Sequence, residues 1–106
     1  MGSSRKPGLS RAQLQDGARR VQTLALRDGA NWTIWASAKA SMEALDIDLM
    51  DLRRALMRFA VTDYEVWGES VRYVGQGKDT DERYLVIKCA PHDELVIIEV
   101  FAVHTL

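Results

Sequence analysis

Cysteine and histidine are scarce in this 106-residue chain, which contains one cysteine and two histidines. A lone cysteine cannot form an intrachain disulfide, and Cys89 lies among apolar residues, so we expect it to be a buried small hydrophobe. His92 falls in a predicted turn and His104 lies near the end of the chain, without the clustered ligands of a zinc site. The sequence therefore predicts no metal site and no cofactor.

Long apolar runs, glycine-rich phosphate loops and serine-nucleophile motifs are also missing. The longest apolar stretches, such as residues 95–98 and 100–103, are too short to cross a bilayer. The first residues, MGSSRKPG, lack the apolar segment of a signal peptide. These features predict a soluble, cytoplasmic protein without a membrane partner.

The formal net charge of −1 excludes the strongly basic signature of many nucleic-acid binders. The charge is nevertheless uneven, because residues 1–30 carry six basic and two acidic side chains. This basic end, with Arg19 and Arg20, is predicted to attract phosphate. The alternative is that these basic residues form an ordinary solvated helix face that attracts no ligand.

The size and composition of the chain predict one domain with a packed core. Hydrophobic residues make up 47% and charged residues 27% of the sequence, close to the average for globular proteins. Two domains of half this length would each bury too little apolar surface to be stable. We expect a flexible N-terminal tail over residues 1–9 and a single α+β domain over residues 10–106.

Capping signals and apolar periodicity predict three helices in the first half of the chain. Ser10 and Gln13 match a capping box at the start of the first helix, and Asp48 is a predicted cap for the third. Between these helices, residues 31–36 are rich in tryptophan and β-branched residues and predict a short strand. Ser37 is expected to cap the second helix.

The second half of the chain changes to the pattern of β-strands. Residues 64–74, 83–90 and 95–104 are rich in Val, Ile, Tyr and Phe and are separated by turn residues, which predicts an antiparallel meander. The predicted fold is α+β, in the order α-β-α-α-β-β-β, with helices on one face of a small antiparallel sheet. The first helix is expected to pack on this sheet or on a second subunit. The predicted core residues are Leu52, Leu56, Phe59, Leu85, Ile87, Ile98 and Val100.

One face of the predicted sheet collects residues suited to phosphate chemistry. Side chains alternate along a strand, so Tyr84 and Lys88 share a face. Arg72 or Tyr73 from the preceding strand and Glu99, Phe101 or His104 from the following strand are expected to join them. Metal-independent RNA cleavage needs a base for the 2′-hydroxyl, a cation for the phosphorane and an acid for the leaving oxygen. The alternative is a structural face, with Lys88 paired to Glu99 across the strands.

The segment SAKASMEALDI, residues 37–47, followed by Leu52 and Ala55-Leu56, resembles the opening of small MqsR-like domains of the RelE/ParE toxin superfamily. The resemblance extends from about Trp32 to His104 and implies a toxin-like fold whose exposed sheet face handles RNA. It also implies an mRNA endonuclease held in check by a cognate antitoxin. Lys39 stands where many relatives have histidine, which keeps a cation but removes a group that titrates near neutral pH.

Two functions follow as hypotheses. The first is a metal-independent mRNA endonuclease, the toxin of a toxin–antitoxin pair. Its predicted catalytic residues are Lys88, Tyr84, Arg72, His104 and Lys39, and its predicted RNA-binding residues are Tyr73, Arg19 and Arg20. The second is a catalytically silent protein-binding module of a phage or mobile element, which the three tryptophans favour because exposed tryptophan often anchors interfaces. Both hypotheses are compatible with a homodimer.

Overall fold

The computed structural model describes residues 8–106, so the predicted tail over residues 1–9 lies almost wholly outside the described residues. In chain order the elements are α1 (Arg11–Leu26), β1 (Asn31–Ile34), α2 (Ala36–Ala44), α3 (Leu49–Met57), β2 (Ala60–Trp67), β3 (Ser70–Lys78), β4 (Tyr84–His92) and β5 (Ile97–Thr105). A single 3₁₀ turn, Asp93–Leu95, joins β4 to β5. The predicted α+β class is confirmed.

Two of the three predicted helix caps are present. Ser10 and Gln13 form a reciprocal capping box on α1, and Asp48 forms another with Asp51 on α3. The prediction for Ser37 is wrong, because α2 already starts at Ala36 and its N-cap is Trp35, two residues before Ser37. The Ser37 hydroxyl instead donates to the backbone carbonyl of Phe101 at 3.4 Å, which ties α2 to β5.

The five strands form one mixed sheet in the order β1-β5-β4-β3-β2. Strands β2 to β5 are the predicted antiparallel meander, and β1 joins β5 in parallel. The meander has four strands where the sequence predicted three, because residues 64–74 are a hairpin and not one strand. Gly68 has a φ of 61°, in the left-handed region, and this allows the tight turn between Trp67 and Ser70.

Glycines 75 and 77 were predicted to mark a turn, but both lie inside β3. A Cβ atom at Gly77 would overlap the backbone carbonyl of Ala55, and one at Gly75 would overlap the carbonyl of Ala60 and the ring of Phe59. The missing side chains therefore let the end of α3 and the start of β2 approach the strand closely.

The inner face of the sheet packs against the helices. All seven predicted core residues are buried, with Phe59 2% exposed and the other six at 0%. Cys89 is also buried here, as predicted, and burial raises the pKa of its thiol. Helix α1 packs on α3 and on the sheet, which confirms that it docks on its own chain.

The opposite side of the sheet, the open face, carries side chains of mostly intermediate exposure. It includes Lys88 and Val86 of β4, whose neighbours Ile87 and Cys89 point inward. Among residues 8–106, no helix is long and apolar enough to span a membrane.

Candidate functional site

An arginine surrounded by aromatic rings occupies the open face. The guanidinium carbon of Arg72 lies 3.9 Å from the ring centroid of Phe101, 4.5 Å from that of Trp67 and 5.3 Å from that of Trp35. Such distances allow cation–π attraction. Trp35 is 44% and Trp67 58% exposed, so this aromatic cluster of Trp35, Trp67 and Phe101 around Arg72 forms a surface that a flat ligand can reach.

Each aromatic residue of the cluster is positioned by a break in regular structure. Lys88 pairs with Ala102 and Cys89 with Val100, so Phe101 is an extra residue in β5, a β-bulge. Trp35 is the N-cap of α2 and meets Phe101 edge-on, with ring centroids 4.9 Å apart. Trp67 ends β2 immediately before the tight turn.

Two carboxylates fix the exposed indoles. Glu65 accepts hydrogen bonds from Lys88 Nζ at 2.8 Å and from Trp67 Nε1 at 3.0 Å. These contacts lower the pKa of Glu65. On the other side, Glu99 accepts from Trp35 Nε1 at 2.8 Å and lies 2.9 Å from His92 Nε2. Burial raises the pKa of Glu99, but the hydrogen bonds from Trp35 and His92 outweigh it, so the pKa is lowered.

The register places these groups along one line of the open face. Glu65 pairs with Arg72 across β2 and β3, and Ala90 pairs with Glu99 across β4 and β5. Because Tyr73 pairs with Cys89, Arg72 lies next to Ala90. Side chains on one face of a strand recur every second residue, so Lys88 and His92 flank Ala90 on opposite sides.

The structure brings together only some of the residues that the sequence proposed as catalytic. Lys88 and Arg72 lie together on the open face. Tyr84 and His104 share that face but lie farther along the strands, where Tyr84 pairs with Lys78 and His104 with Val86. Tyr84 is four residues from Lys88, roughly 13 Å along an extended strand. Lys39 is exposed on α2, and no ion pair found in residues 8–106 joins it to the open face.

The three predicted RNA-binding residues do not lie on the open face. Tyr73 points to the inner face, is 6% exposed and packs against Gly17 of α1, so it cannot offer its ring to RNA on the open face. Arg72 and Tyr73 are neighbours in β3, so their side chains point to opposite faces of the sheet. Arg19 is exposed on α1, which covers the inner face, and Arg20 is bound to Asp93 at 2.6 Å.

The predicted ion pair between Lys88 and Glu99 is wrong. Glu99 lies opposite Ala90 and Ala102 lies opposite Lys88, and the lysine pairs with Glu65 instead. Sequence reasoning also missed His92, which it placed in a turn but which ends β4 beside Glu99. The signals in the sequence for the aromatic cluster were the tryptophans and the expected place of Phe101 on this face of the sheet.

Three acidic residues at the opposite end of the molecule have oxygens within 4.8 Å of one another, namely Asp51, Asp79 and Asp81. Asp79 accepts hydrogen bonds from Arg83 Nε at 2.7 Å and from backbone amides, and Asp51 accepts from Thr80 and the amide of Asp48. These contacts give the group a structural role, which joins the β3–β4 hairpin to α3.

Comparison of the chain with models of known protein families found no match, and comparison with curated proteins and with solved structures also found none.

Proposed function

We propose that this protein is a metal-independent endoribonuclease that binds single-stranded RNA on its open face. The observation that supports the proposal best is the 2.9 Å contact between His92 and Glu99 on the same line of the open face as the half-buried Arg72. An imidazole held by a carboxylate is a suitable general base, and a guanidinium stabilises charge on a phosphorane.

The reaction starts at the pair formed by His92 and Glu99. His92 removes the proton from the 2′-hydroxyl, and the resulting oxygen attacks the adjacent phosphorus. The bond from phosphorus to the 5′-oxygen breaks, and water donates a proton to that leaving oxygen. Arg72, which lies next to Ala90, stabilises the charged intermediate. The products are a 2′,3′-cyclic phosphate and a 5′-hydroxyl.

The aromatic cluster gives the surface a means of holding RNA. Exposed Trp35 and Trp67 offer ring faces to unpaired bases, and stacking of this kind is worth about 1–3 kcal/mol per base. Because Glu65 offsets the charge of Lys88, we expect stacking to contribute more than long-range attraction to phosphate.

The proposal is tested with purified protein and labelled single-stranded RNA in the presence of a chelator. His92→Ala and Arg72→Ala should each reduce the cleavage rate by about a hundredfold to a thousandfold. Lys88→Ala, which removes a cation from the RNA-binding face, should also reduce the rate. Lys78→Ala removes a cation from the far end of the same face and should not. Circular dichroism must show that each variant folds.

If the protein is a toxin, its expression without an antitoxin should slow growth, and the same variants should relieve the effect. A wild-type protein that neither cuts RNA nor slows growth, with or without ribosomes, would refute the proposal.

A protein-binding module is the second candidate, and the exposure of Trp35 and Trp67 beside Arg72 favours it. Tryptophan and arginine are the residues most enriched at energetic centres of interfaces. In that case Trp67→Ala should abolish binding of a protein partner, and His92→Ala should leave cellular function unchanged.

A further inference from the structure

A cleft of about 230 Å³ opens beside His92 at the end of the sheet. Its walls include both apolar and hydrogen-bonding side chains. The residues that matter for its chemistry are Arg20, Glu69, Ser70, Tyr73, Pro91 and His92.

Separate elements supply the polar groups of this cleft. Glu69 follows Gly68 in the tight turn between β2 and β3 and is exposed. Arg20 comes from α1, and its ion pair with Asp93 uses Nε, at 2.6 Å. A guanidinium carries five N–H donors, and within residues 8–106 only Nε of Arg20 is used in a hydrogen bond, so its terminal nitrogens can donate to a ligand. Tyr73 and Pro91 are buried and give the cleft a rigid apolar part.

We propose that this cleft binds a guanine base, so that the enzyme cleaves RNA on the 3′ side of guanosine; this inference rests on the proposed ribonuclease activity. Guanine presents two adjacent donors, N1–H and the N2 amino group, which match the two oxygens of the Glu69 carboxylate. It also presents two acceptors, O6 and N7, which match the donors of Arg20.

Other bases fit this arrangement less well. Adenine has an acceptor at N1, whose lone pair would face the carboxylate of Glu69, and an amino group at position 6, which would face the arginine. Pyrimidines lack N7 and therefore one of the acceptors for Arg20. A site that hydrogen-bonds its ligand rejects analogues without those groups, because its own polar groups are then left unpaired.

The position of the cleft links base recognition to the reaction. His92 belongs both to the cleft and to the pair with Glu99. A nucleotide whose base enters the cleft therefore has its ribose near His92, where the 2′-hydroxyl loses its proton. Glu69 would act as a specificity residue and take no part in proton transfer.

Direct binding of the four 3′-mononucleotides to the full chain tests the cleft without relying on cleavage. Calorimetry should show 3′-GMP binding roughly tenfold to a hundredfold more tightly than 3′-AMP, 3′-CMP or 3′-UMP. Glu69→Gln should abolish that preference. Glu82→Gln, a matched change in the β3–β4 turn, should retain it.

Mapping of cleavage ends separates this proposal from the proposed activity. Preferred binding of 3′-GMP without any RNA cleavage would support the cleft and refute the ribonuclease. Cleavage after all four bases, with equal binding of the four mononucleotides, would refute the guanine site alone. An unchanged preference for 3′-GMP in Glu69→Gln would refute the role of Glu69.

Discussion

At the scale of single residues, Phe59 links the helices to the sheet. Its ring lies where a side chain on Gly75 would otherwise be, and its carbonyl accepts a hydrogen bond from the side chain of Gln22 on α1 at 2.9 Å. One residue therefore contacts both the inner face and the first helix.

Truncation of Phe59 should strongly destabilise the fold. Phe59→Ala removes a ring that is 2% exposed and leaves a cavity, so the free energy of unfolding should fall by about 3–5 kcal/mol. Urea denaturation measures the loss. Leu26→Ala, at a position 55% exposed, is the control and should change stability by less than about 0.5 kcal/mol. If the two variants lose similar amounts of unfolding free energy, Phe59 is not packed in the core as described.

At the scale of secondary-structure elements, the start of α3 is tied to the β3–β4 hairpin. The Asp51 carboxylate accepts hydrogen bonds from the side chain and amide of Thr80 and from the amide of Asp48. Arg83 adds a second tie, because its guanidinium donates to the carbonyls of Leu45 at 2.8 Å and Asp46 at 3.3 Å, just before α3.

These contacts predict a pH dependence of stability. The hydrogen bond from Thr80 lowers the pKa of Asp51 below its ordinary value of 3.8; burial opposes this, and Asp48 adds to the lowering. As the pH falls, the unfolded chain therefore takes up the proton first. The stabilisation is complete above the ordinary carboxyl pKa and is lost as the pH falls through the lowered value.

The measurement is the free energy of unfolding at neutral pH and at about pH 3, in wild type and in Asp51→Asn. The variant should be about 1 kcal/mol less stable at neutral pH, as expected for a weakened cap, and should lose less on acidification. Asp16→Asn makes the same change of charge at an exposed position of α1. It should retain the wild-type difference in stability between the two pH values. An equal acid-induced loss in Asp51→Asn and wild type would contradict the assignment.

At the scale of the whole molecule, α1 completes the core. Its Val21 and Leu24 are 0% and 3% exposed, and its Gly17 lies against the ring of Tyr73. The Arg53 side chain of α3 also donates to the carbonyls of Ala25 and Leu26, at 2.7 and 3.2 Å. The first helix is therefore an integral layer of the fold.

Deletion of residues 1–27 should abolish cooperative unfolding. Burial of Val21 and Leu24 alone contributes roughly 3–6 kcal/mol, a large part of the roughly 5–15 kcal/mol that stabilises a small domain. Thermal circular dichroism and binding of a hydrophobic dye measure the effect, and light scattering reports any association through the uncovered face. If the shortened protein keeps the wild-type melting temperature and oligomeric state, α1 is dispensable.

Local interactions account for what the sequence by itself determined. The capping boxes at Ser10 and Asp48 are formed by residues three apart, and the apolar spacing identified the buried side of each element, including Leu56 and Ile87. These features depend on neighbours in the chain, so the fold class, the helices and the core were predictable.

Tertiary structure decided the arrangement of the open face, because it depends on strand register. Glu99 lies opposite Ala90 and not opposite Lys88, and the lysine pairs with Glu65, 23 positions earlier in the chain. The turn at Gly68 made two strands from one predicted segment and placed Trp67 over Arg72. Contacts between residues so far apart in sequence arise only when the sheet assembles, and no local pattern specifies them.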